Sequence, residues 1–143
     1  MGGELLNAIQ YRYDVISRSQ SVRFYVAQMI EVLSYLHRQS IVYRDVKPEN
    51  LLVGNDGYLL LVDFSVAKRC PSGETFTLCG TPEYTAPEVY RMTGHTTTAD
   101  WWSLGILMHE LSVGVPPFQG EDTSEIMEGL QRYARLYPDS IFL

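Results

Sequence analysis

The stretch Tyr43-Arg44-Asp45-Val46-Lys47-Pro48-Glu49-Asn50 holds a carboxylate, an ammonium and a carboxamide within eight residues. That spacing suits chemistry on a phosphate: Asp45 could accept a hydroxyl proton, Lys47 could neutralise a transferring phosphoryl group, and Asn50 could offer an oxygen to a hard cation. Asp63, directly before Phe64, supplies a second oxygen donor of the kind a magnesium site uses. A lone Asp, Lys or Asn in a loop is ordinarily a solvated turn residue, so the weight rests on the ordered set.

These residues need elements to position them. Val22, Tyr25, Val26, Met29, Ile30, Leu33 and Leu36 recur at steps of three and four, which predicts an amphipathic helix running to about His37, with Ser19 or Ser21 as its N-cap. Leu51 to Val53 and Tyr58 to Val62 flank Gly54-Asn55-Asp56-Gly57, the signal for two short strands joined by a tight turn. The chemistry-bearing loop therefore lies between a helix and a hairpin, with Asp63 just past the second strand. From Ala67 to Val89 neither period holds, so this span reads as irregular backbone. A second helix, from about Thr98 to Val113, is apolar nearly all round through Trp101, Trp102, Leu104, Ile106, Leu107, Met108 and Leu111, which predicts burial, with Pro116-Pro117 as its stop. A third helix, capped by Asp122 or Thr123, extends to roughly Tyr133.

Composition narrows the classes. The 143 residues suit one domain, and 45% hydrophobic with 20% charged residues is ordinary for a folded chain. The net charge of −6, with no run of basic residues, argues against nucleic acid or anionic membrane as a general partner. Cys70 and Cys79 have no metal-binding spacing and read as free thiols. His37, His95 and His109 likewise lack metal spacing and read as structural or exposed. No secretory leader, myristoylation signal or membrane span is legible, which predicts a soluble chain of the cytoplasm, with the nucleus left open.

Taken in order, YRDVKPENLL, then Asp63-Phe64, then TFTLCGTPEYTAPE and ADWWSLGILMHELSVGVPPF, the motifs resemble the large lobe of a eukaryotic serine/threonine protein kinase. The likeness is to the AGC group that contains the cAMP- and cGMP-dependent kinases, where Tyr43 stands for the usual His. It covers essentially all 143 residues. It implies a partial kinase-like fold, mainly α with a small β-hairpin, spanning residues 1 to 143, with ATP and Mg2+ as cofactors.

By that resemblance Asp45 is the catalytic base, Lys47 the phosphate contact and Thr81 the hydroxyl that holds both, while Asn50 and Asp63 bind the metal. Glu4 and Leu52 join Lys47, Asn50 and Asp63 around the nucleotide. Thr77 is the activation-loop phosphosite, its phosphate paired with Arg44 and Lys68, because a dianion with several acceptor oxygens can tie a loop to two cations. Glu4, Glu49 and Glu110 match carboxylates that read arginines in a substrate, and Leu78 and Pro82 match the pocket for the residue after the acceptor. Thr85 stands where that branch has leucine. The partners implied are basic peptide or protein substrates, an activating kinase, and a regulatory subunit or domain.

Two departures stand out. Ser65 occupies the glycine position of the Asp-Phe-Gly motif, where a Cβ restricts backbone conformations at a cost of about 1 kcal/mol. No glycine-rich phosphate loop or strand lysine of the VAIK type occurs in the sequence, so the resemblance implies the large lobe without its small lobe or terminal helices. Such a chain is expected to expose apolar surface near Trp102 and to be marginally stable. The sequence thus supports a kinase for basic peptides, and beside it a non-catalytic peptide-binding decoy or scaffold, or an incomplete gene model.

Overall fold

The computed structural model describes residues 3–136. The chain opens with β1 (Gly3–Glu4) and passes straight into α1 (Leu5–Ile16), which buries Leu5, Ile9 and Ile16. Sequence periodicity did not reveal α1, because that buried stripe is narrow and the helical turn is interrupted at Arg12, with φ −134° and ψ 32°. Helix α2 (Ser19–Arg38) buries Val22, Met29, Leu33 and Leu36, as its period requires. The expected serine cap is corrected. Arg18 is the N-cap without a side-chain bond, and Ser21 Oγ instead donates to Val15 O at 3.0 Å, tying α2 to the end of α1.

After β2 (Ile41–Val42) and the loop, a 3-10 turn (Pro48–Asn50) leads into β3 (Leu51–Val53) and β4 (Leu59–Leu61), the expected hairpin. It is not a hairpin alone. β1 pairs antiparallel with β3, giving the order β1-β3-β4, and β2 pairs antiparallel with β5 (Lys68–Arg69) in a second two-stranded sheet. The span read as irregular also contains a 3-10 turn (Pro82–Tyr84) and α3 (Pro87–Tyr90), each started by the proline that favours a first helical turn.

Helix α4 (Thr98–Val113) has the bounds its sequence predicts. Its stop is Gly114, at φ 93°, whose amide donates to Glu110 O at 2.7 Å, before the Pro116-Pro117 pair is reached. Leu104, Leu107 and Leu111 pack with Leu33 and Met29 of α2 and Leu5 and Ile9 of α1 around Tyr43, Val46 and Leu51. A smaller cluster joins Ala86, Val89 and Ala99, with Trp102 against it. Full burial of α4 is corrected too: Trp101 and Met108, two turns apart on one face, are 38% and 48% exposed and belong to neither cluster. Asp122 Oδ1 accepts from the amides of Ser124 (2.7 Å) and Glu125 (3.0 Å), capping α5 (Thr123–Leu136) as expected. Among the described residues, no helix is long and apolar enough to cross a membrane.

Candidate active site

The loop that carries Asp45 is pinned to α4 through one buried carboxylate. Asp100, 0% exposed, accepts from the amides of Tyr43 (2.9 Å) and Arg44 (2.8 Å), and its Oδ2 lies 2.7 Å from His37 Nε2. Those bonds support Arg44 at φ 74°, a left-handed conformation that a residue with a Cβ adopts only when its surroundings hold it there. Tyr43 is buried beneath, donating from its hydroxyl to Val62 O at 2.5 Å, with its ring edge-on to Phe64 at 5.3 Å. Burial first, then the charges of Asp45 and Asp63, push its phenol well above the ordinary range, so it remains a donor. Tyr43 thereby links the residues ahead of Asp45 to the segment carrying Asp63.

Four side chains then close on one another. Asp45 Oδ1 accepts from Thr81 N (3.1 Å) and Thr81 Oγ1 (2.8 Å). Asp45 Oδ2 accepts from Asn50 Nδ2 at 2.8 Å and lies 3.0 Å from Lys47 Nζ. Lys47 in turn donates to Thr81 Oγ1 at 2.7 Å. Thr81 reaches this position because Gly80 precedes it at φ 99°: a Cβ at Gly80 would stand 2.7 Å from Arg44 O. Behind it, Thr85 Oγ1 donates to Thr81 O at 2.8 Å, which is the use the chain makes of a threonine at that buried position.

Asp63 is exposed and left-handed, at φ 56°. The Ser65 hydroxyl and the Ser65 amide, the latter at 3.1 Å from Oδ1, hold its carboxyl below the usual carboxylate range, with Lys47 adding to the effect. An ionised Asp63 carboxylate and the Asn50 carboxamide oxygen are each of the hard-donor type that suits Mg2+, which keeps waters and substrate phosphates as its other ligands. Among the described residues there is no group of three or more His, Cys, Asp or Glu suited to a metal. Glu4 and Leu52 face each other across β1 and β3 in register, so they share one face of the sheet.

The remaining expected residues divide. Arg44 Nε donates to Val66 O at 2.7 Å, and Lys68 Nζ donates to Thr75 Oγ1 at 2.9 Å, so the described partner of Lys68 is the buried Thr75 and not the exposed Thr77. Glu49 is exposed, whereas Glu110 is buried and accepts from the Tyr84 hydroxyl. Burial, with the charges of Glu49 and Glu83, raises the Glu110 carboxyl above its ordinary range, although the Tyr84 bond acts against this. Glu83, Glu110, Glu121 and Glu125 border one open cleft beside Pro116. Leu78 and Pro82 are both exposed. Sequence reasoning gave no role to Asp100, Thr75 or Tyr84. For Asp100 a signal existed: a carboxylate in an otherwise apolar helix is either paired or out of place.

Residues 1–140 match the protein kinase domain, and the chain belongs to that family. Its relatives include the cGMP-dependent protein kinase egl-4 of Caenorhabditis briggsae, 52% identical over 125 residues that cover 85% of this chain and 16% of that protein. The cAMP-dependent protein kinase catalytic subunit of Dictyostelium discoideum is 47% identical over 87% of this chain and 19% of its own length. A cAMP-dependent protein kinase, catalytic subunit-like, of Caenorhabditis elegans is 43% identical over 99% of this chain and 35% of its own length. The chain therefore spans only a minor part of each of these relatives.

Proposed function

We propose that the chain carries the large-lobe site of a serine/threonine protein kinase, which transfers the γ-phosphoryl group of ATP to Ser or Thr in arginine-containing peptides. The observation that carries this reading is the closed set of Asp45, Lys47, Asn50 and Thr81, each bonded to at least one of the others. In it Asp45 orients and takes the proton of the acceptor hydroxyl, Lys47 lies against the transferred group, and Thr81 holds both in register. Asp63 and Asn50 would hold Mg2+, which neutralises charge on the nucleotide phosphates when bound. Glu4 and Leu52 flank the nucleotide.

Glu4, Glu49 and Glu110 form the arginine-reading carboxylates, since a guanidinium pairs bidentately with a carboxylate. Leu78 and Pro82 border the residue after the acceptor. Thr77 is the phosphosite of the activation segment, and its phosphate recruits Arg44 and Lys68, the latter now held by Thr75. Basic substrates, an activating kinase and a regulatory subunit or domain are the partners in this reading. A cytoplasmic setting fits the two unpaired cysteines, Cys70 and Cys79.

Calorimetric titration of the purified chain with MgATP, beside Asp63→Ala and with circular dichroism to verify folding, tests the nucleotide half of the reading. Binding heat is expected for the wild type and is lost in Asp63→Ala. A folded wild type that gives no heat overturns it, and arginine-peptide binding that persists without nucleotide then favours the decoy or scaffold.

A further inference from the structure

Arg44 Nη1 and His95 Nε2 are buried and have no hydrogen-bond partner among the described residues, and both residues line the same cavity. The cavity measures about 10 Å³, close to the space a single water-sized sphere occupies. Its wall brings together three segments. Arg44 belongs to the loop of Asp45; Cys79 and Thr85 belong to the segment that delivers Thr81; His95 precedes α4 and exchanges both backbone hydrogen bonds with Thr75, each at 2.9 Å. The hydroxyls of Thr85 and Ser103, also in the wall, donate elsewhere, to Thr81 O and Tyr84 O, and keep lone pairs free to accept.

We propose that this cavity is a binding site for one internal water molecule, which accepts a hydrogen bond from Arg44 Nη1 and donates one to His95 Nε2. Buried polar groups that lack a protein partner are commonly satisfied in this way, and the site offers the two to four polar partners an internal water needs. The occupant is water and not an anion on two grounds. A phosphate or sulfate does not fit the volume, and an unprotonated anion has no proton to give to an imidazole acceptor. The water joins the Asp45 loop to the Thr75–His95 bridge, so it acts as a fixed strut beneath the segment that positions Thr81. This inference stands apart from the phosphoryl-transfer reading, since it needs neither nucleotide nor peptide.

The site requires His95 to be neutral with its proton on Nδ1. Burial, and then Arg44 and Lys68, hold the imidazole below its ordinary range, against the opposing charges of Glu88 and Asp100; the remaining ionisable wall residue is the Cys79 thiol, which burial raises.

Isotope-labelled chain at neutral pH, studied by water-selective nuclear Overhauser spectroscopy, is the test. Expected are a cross-peak between long-lived water and the ring or guanidinium protons of His95 and Arg44, and a nitrogen shift marking Nε2 as the unprotonated ring atom. His95→Gln, whose carboxamide oxygen can accept, is expected to keep the water signal at Arg44, and His95→Phe to lose it. No water cross-peak in the folded wild type overturns the proposal, as does a protonated Nε2 or a signal unchanged in His95→Phe. Should His95→Phe fail to fold, the wild-type spectrum and His95→Gln decide alone.

Discussion

Both oxygens of Asp45 are engaged before any substrate arrives, so the orientation of the proposed base is built into the folded chain. Thr81 is the hub, donating to Asp45 and accepting from Lys47 with one hydroxyl. Thr81→Val is therefore expected to lower phosphoryl transfer by roughly 10²-fold, a loss typical of a misplaced catalytic group, and Thr81→Ser to restore most of it, as steady-state kinetics would read. Glu110 obeys a different logic. Its carboxyl is raised in the folded chain, mainly by burial, so between its unfolded and folded titration ranges the native state binds more protons. Stability thus declines as pH climbs out of the ordinary carboxylate range, and is flat above the folded value. Glu110→Gln should remove that slope and raise the melting temperature at neutral pH while weakening arginine-peptide binding, which scanning calorimetry across pH and a peptide titration would show. That Asp45, Lys47 and Asn50 lie together was legible because they fall within one short loop, whereas Asp63, past the hairpin, was joined to them only by resemblance. Asp100, Thr75 and His95 were not legible, since their partners are chosen by how distant segments close on one another.

The elements that carry these groups are joined at glycines. Gly80, at φ 99°, lets the segment carrying Thr81 touch Arg44 O, where a Cβ would stand at 2.7 Å. Gly80→Ala is expected to push Thr81 away from Asp45, with transfer falling as far as in Thr81→Val while the melting temperature drops by only a few degrees; both are read on one preparation. Helix α2 declared itself through its period, α4 through its nearly all-round apolar composition, and the hairpin through the Asp-Gly turn between two apolar runs. The end of α4 did not follow its prolines, since a left-handed Gly114 stops a helix wherever it occurs. Helix α1 stayed hidden because its interruption at Arg12 breaks the period, and β1 and β5 are too short for any pattern.

Across the whole molecule, one core joins α1, α2 and α4 beneath the site, so stability and site geometry share the same residues. Leu33 and Leu107 are both essentially unexposed at this junction. Truncating either to alanine is expected to cost about 2–5 kcal/mol, a large share of the stability of a small domain, measured by urea denaturation. On the proposed reading, the net charge of −6 and the carboxylates of the cleft would make affinity for arginine-containing peptides fall as salt rises. The most direct measurement is transfer of labelled γ-phosphate from MgATP to an arginine-containing serine peptide by the purified, folded chain, compared with Asp45→Asn. Incorporation by the wild type that falls about 10²–10⁴-fold in Asp45→Asn is the predicted result. Equal incorporation by both, or none by the folded wild type, would contradict it.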